Sequence, residues 1–90
     1  MATDEYYDAE YKQAHEALEA IMKQGNTLLF MGSQADLAKF INQFIDMASN
    51  KIKEAEFDDR ADVVTRFLDL IQKAEDLRQT FKLEAPGNEH

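Results

Sequence analysis

Few residues in this 90-residue chain could do chemistry, and their spacing argues against most of what they could do. Glu54, Glu56, Asp58, Asp59 and Asp62 place five carboxylates within nine residues, a density that invites a cation. The run lacks the alternation and central glycine of an EF-hand calcium loop. No His-Glu-x-x-His and no pair of Glu-x-x-His runs accompanies it. No metal and no cofactor is therefore expected. His15 stands in His15-Glu16-Ala17-Leu18-Glu19, not in the His-x-x-Lys-Gly of a phosphotransfer bundle, and its acidic neighbours would repel a phosphoryl group. The other histidine, His90, falls in the expected tail. Ser33 and Ser49 are the two serines, cysteine is absent, and neither a Gly-x-Ser-x-Gly nor a phosphate-cradling glycine loop occurs. Nothing here assembles a nucleophile with a base, so the chain is expected not to be an enzyme.

Charge narrows the partners. Eighteen acidic against ten basic residues give a net charge of −8. Direct nucleic-acid binding is disfavoured, because that affinity comes largely from Lys and Arg neutralising phosphates. A partner with a basic surface fits better. Much of the charge also has a local explanation: Asp8/Lys12, Glu19/Lys23, Asp62/Arg66 and Asp69/Lys73 are acid-first pairs at i, i+4. The longest apolar run, Leu28-Leu29-Phe30-Met31, is far below the roughly 20 residues of a membrane span. With an acidic Met1-Ala2-Thr3-Asp4-Glu5 start, this leads us to expect a cytoplasmic protein with no membrane partner.

The elements that position these residues follow from periodicity. At 44% apolar, with six Phe and three Tyr, the chain can build one core. Gly32-Ser33, Phe57-Asp58-Asp59 and Pro86-Gly87-Asn88 punctuate it. Between them apolar residues recur at helical spacing: Tyr7, Tyr11, Ala14, Leu18, Ile21, Met22, Leu28 and Leu29 with Gly25 in phase, then Leu37, Phe40, Ile41, Phe44, Ile45, Ala48, Ile52 and Ala55, then Val63, Val64, Phe67, Leu68, Leu70, Ile71, Ala74, Leu77 and Phe81. The phase passes through Gly25 without slipping, so one helix is expected there, with Gly25 at a close approach or a mild kink. The expectation is an all-α fold: a small antiparallel bundle of three long helices over about 4–31, 34–56 and 59–82. Residues 1–83 would form the single bundle and 84–90 a flexible tail. Ser33 and Asp36 read as a capping-box variant, and Asp58 or Asp59 as the start of the third helix. The third helix is apolar over about half its circumference, so it should touch both neighbours, or one neighbour and a second subunit in a homodimer. Phe44 and Phe67 should be buried between helices.

An up-down-up bundle brings the start of the first helix beside the second turn. Asp4, Glu5, Asp8 and Glu10 then join Glu54, Glu56, Asp58, Asp59 and Asp62, nine of the 18 acids, around Tyr6, Tyr7 and Tyr11. Like charges at close range repel, and tyrosines offer contact area with a polar tip. Tyr6, Tyr7, Tyr11, Asp58 and Asp59 are accordingly the candidate partner-binding residues. Phe30 joins them, unless it closes the far end of the bundle against Phe81 and Leu83. The function expected is that of a small acidic adaptor, inhibitor or regulatory subunit. The alternatives are a nucleic-acid-mimicking inhibitor and a structural protein that homo-oligomerises through its third helix.

Overall fold

Helical periodicity runs unbroken through each apolar segment, and the computed structural model forms a helix over each. It describes residues 3–81 and Leu83; the expected tail lies outside them. Among the described residues the elements are α1 (Asp4–Phe30), α2 (Gln34–Phe57) and α3 (Ala61–Thr80), packed as an all-α bundle with no strand. Neighbours in sequence run antiparallel: Tyr6 of α1 meets Glu54 of α2, and Asn42 of α2 meets Arg78 of α3.

Most of the set the spacing selects forms the core, but Met22, Phe40 and Leu68 stay exposed, each about 100° around its helix from the core-facing residue beside it. Tyr7, Leu18, Leu37, Ile41, Phe44, Val63, Phe67 and Leu70 are all buried, as expected for Phe44 and Phe67. Each large side chain so buried contributes about 1.5–3 kcal/mol relative to an exposed one. Most of the broad face of α3 is shared between both neighbours, Phe67 meeting Tyr11 on α1 and Arg78 reaching Asn42 on α2, while Leu68 at its margin faces outward. Gly25 is a close-packing position, because a Cβ there would collide with the Phe81 ring. Phe81, not Phe30, therefore closes that end of the bundle.

The helix ends follow a different logic from the one the sequence suggests. Thr3 caps α1, its hydroxyl oxygen accepting from the Tyr6 N–H at 3.2 Å. Ser33 does sit at the N-cap of α2, but its side chain makes no capping bond and no capping box forms. Its own N–H, which a capping box would need, already donates to Leu28 O at 2.7 Å. That bond, with Gly32 N–H to Leu29 O at 3.0 Å, is a Schellman ending of α1 with Gly32 left-handed at φ 78°. The second turn repeats it. Arg60 N–H donates to Ala55 O at 2.8 Å and Asp59 N–H to Glu56 O at 3.1 Å, with Asp59 at φ 59°. Asp58 and Asp59 thus end α2 instead of opening α3, and Arg60 holds the N-cap position of α3 without a side-chain cap.

Candidate functional site

The acidic pole assembles as the topology requires, but it is built around cations. Lys51, at the last turns of α2, places its ammonium 5.1 Å from the Tyr6 ring centroid and 2.8 Å from Glu10 and 3.0 Å from Glu54. Arg60, in the α2–α3 turn, lies 5.5 Å from the Tyr7 centroid, 2.6 Å from Asp4, and forks onto both oxygens of Asp62. Arg66 of α3 lies 4.5 Å from the Tyr11 centroid and donates to Asp8 at 2.9 Å. Each tyrosine therefore stands beside one cation, and each cation is shared with carboxylates from another element. This arrangement relieves the repulsion that nine gathered acids would otherwise generate. It also redraws the local pairs. Asp69–Lys73 closes at 3.2 Å, whereas Arg66 goes to Asp8, leaving Asp62 to Arg60, and Glu19 meets His15 at 3.3 Å.

Hydrogen bonds fix the protonation states. Burial pushes the Tyr7 hydroxyl up to about 12, helped by its 2.6 Å donation to Asp58. Partial burial works against the charge on Lys51. Its bonds to Glu10, Tyr6 and Glu54 outweigh that effect and hold the ammonium above the usual lysine range. The same ammonium, with the Tyr6 hydroxyl donating at 2.9 Å, holds Glu54 below the usual carboxylate range. The Arg60 fork lowers Asp62 likewise.

The candidate residues divide accordingly. Tyr7 is 1% exposed and its hydroxyl is engaged by Asp58, so both belong to the framework of the pole and Tyr7 offers no surface to a partner. Tyr6 and Tyr11 are half-buried, each with an edge at the surface. Asp59 is exposed at the tip of the turn. Phe30 lies at the opposite pole, 93% exposed, beside exposed Met31. The sequence reading missed Phe57, which is 91% exposed at this pole. The signal was its offset: two residues after buried Ala55, it falls about 200° around the helix from the core face. Glu56 and Asp59 flank it and line a shallow hollow of about 360 Å³ with Arg60, Ala61 and Val64.

Among the described residues, no group of three or more His, Asp or Glu is placed to hold a metal ion, and no helix is long and apolar enough to cross a membrane. Compared with protein-family models, curated proteins and solved structures, the chain gives no match to any of the three.

Proposed function

We propose that this chain is a non-catalytic protein–protein interaction module, an adaptor, inhibitor or regulatory subunit, that meets a basic partner with the pole at its α2–α3 turn. The observation that carries this reading is Phe57: a large aromatic side chain, 91% exposed, set among Glu56, Asp58 and Asp59. An exposed ring contributes nothing to the core, whereas aromatic anchors ringed by charge are what protein interfaces use for affinity and steering. Asp59 adds to the case, since it holds a left-handed backbone that glycine would adopt at lower cost. In this reading Tyr7, Asp58 and the three cations form a stiff base, Tyr6 and Tyr11 edge the surface, and Phe57 enters the partner.

The experiment is to capture the partner from the native host, identify it by mass spectrometry, and titrate the purified pair. Phe57→Ala, and separately Glu56→Gln with Asp59→Asn, should each weaken binding by about tenfold or more while leaving the melt intact. Binding unchanged in both would move the interface elsewhere. Phe30→Ala, at the far pole, serves as the matched aromatic control. The homo-oligomer has less to support it on α3, where most of the broad face packs on α1 and α2 and Leu68 is left exposed.

A further inference from the structure

A second surface is left open on a different face from Phe57. Between α1 and α2 runs a groove of about 340 Å³ lined by those two helices alone. Ala17, Ile21 and Gln24 form one wall, Phe40, Gln43 and Met47 the other, and buried Phe44 lies between them. Phe40 is 41% exposed, and Ile21 and Met47 are half-buried, so the middle of the groove is apolar and incompletely covered. The two walls extend at matched helical spacing. On α2 the row runs Asp36, Phe40, Gln43, Met47, Asn50, Glu54; on α1 it runs Glu10, Gln13, Ala17, Ala20, Gln24. Steps of four and three are the spacing with which a packed helix presents its seam.

The charge along these rows is uneven in a way that specifies the occupant. Acids stand only at the ends: Glu10 and Glu54 at one, Asp36 at the other. Lys51 is shared between the first two, at 2.8 and 3.0 Å, and among the described residues Asp36 has no ion-pair partner. Among the described residues, no Lys or Arg lines the groove. A second copy of this chain does not suit it. Laying α2 antiparallel on its copy sets Asp36 against Glu54, and laying it parallel sets Asp36 against Asp36, with a net charge of −8 on each molecule. We infer that the α1/α2 groove docks an amphipathic helix from a partner, apolar at i, i+3/i+4 and i+7 in its middle and carrying Lys or Arg at both ends. From Asp36 to Glu54 the wall is about 27 Å long, which sets the docked helix at about 18 residues. Small Ala17 and Ala20 let its backbone approach, and Gln24 and Gln43 can bond polar groups on its flanks.

The probe is a synthetic 18-residue peptide with Leu on one helical face and Lys at both ends, Gln elsewhere. Its comparator is a Gln peptide with the same lysines and no Leu face. Methyl NMR should show the Leu peptide shifting Ile21 and Met47 and binding about tenfold or more tighter than the comparator. Ala17→Lys with Gln43→Lys changes two exposed positions and should weaken binding by about tenfold, by placing charge in the apolar seam. Gln72→Lys with Gln79→Lys adds the same charge on α3 and should change binding by less than about threefold. Equal affinity for the two peptides, or equal loss in the two double variants, would overturn the proposal, leaving attraction by net charge alone. A native mass of twice 10.3 kDa that Ala17→Lys with Gln43→Lys abolishes would also overturn it, by putting a second copy in the groove. Phe57→Ala should leave the peptide affinity unchanged, so this result and the one at the pole fail separately.

Discussion

The two turns of this bundle share one backbone design and differ in almost everything attached to it. Each closes its helix with the same pair of Schellman bonds, and each has a left-handed residue two positions after a fully presented phenylalanine. At the first turn the left-handed residue is Gly32, the aromatic is Phe30, and its neighbour is Met31. At the second turn they are Asp59, Phe57 and Asp58, on the pole where three tyrosines stand beside three cations and Tyr7 donates to Asp58. The fold needs the left-handed residue at both places, and it needs neither exposed ring. What separates the turns is charge and strain, and both accumulate at the second. Folding requirements alone would have made the two ends more alike.

The comparison can be broken most severely beneath the charged pole. If ion pairs alone held α1 there, the ring under Tyr11 would be expendable. Exposed ion pairs are individually weak, however, and Phe67 is completely buried. Phe67→Ala should cost about 3–5 kcal/mol and leave a domain of this size close to unfolded, read by circular dichroism melting. A melt within a few degrees of the parent would show that the network carries the pole by itself.

The next largest effect separates the poles by pH. The Tyr7 hydroxyl sits at about 12 in the fold against about 10 when unfolded. A raised value means the neutral form is favoured by folding, so its contribution is complete below pH 10. It then declines as pH rises through 10 towards 12, where the unfolded chain ionises first. Two units correspond to about 3 kcal/mol, lost across that window. Denaturant titrations at pH 9 and 11.5 should show the loss in the parent and a much smaller one in Tyr7→Phe. At neutral pH that variant should itself be less stable by about 1.5–3 kcal/mol, the worth of a hydrogen bond to a charged group. At the other pole Gly25→Leu tests packing instead. It should displace Phe81 and cost about 1–3 kcal/mol with no dependence on alkaline pH.

How much of this was legible in the sequence depends on the range of the interaction. Helix faces, the continuity of α1 through Gly25 and the gathering of acids at one pole follow from period and topology. Each apolar stripe must meet another, and two short turns leave few ways to do it. Thr3 was legible too, because a threonine ahead of Asp4 and Glu5 is a residue type that caps helices. The cation sites were not. Arg66 has an acid four residues earlier and so reads as locally paired, yet it reaches Asp8, 58 positions away in sequence. Lys51 and Arg60 likewise bridge elements whose juxtaposition exists only in three dimensions. The start of α3 was misread for a related reason. An aspartate before a helix signals a cap, but the Schellman bonds of α2 claim Asp58 and Asp59 first.

The smallest predicted effects bear most directly on the comparison, because they exchange the residues that distinguish the turns. A left-handed backbone crowds the Cβ of any L-residue against the next carbonyl, by about 1–2 kcal/mol, and Asp and Asn tolerate it better than most. Gly32→Ala should therefore destabilise by about 1 kcal/mol, with nothing within 4 Å of the new methyl to offset the strain. Asp59→Gly should do the reverse. Relief of strain is opposed by the greater freedom of glycine in the unfolded chain, so the net gain should be at most about 1 kcal/mol. In a domain of this length each such change moves the melting temperature by about 4–8 °C per kcal/mol, which differential scanning calorimetry resolves. Opposite signs at the two turns would show that Asp59 is held at a cost to the fold, and the carboxylate would then need a reason beyond stability. If Asp59→Gly instead destabilises the protein, the side chain contributes to folding where it stands, and strain no longer sets the second turn apart from the first.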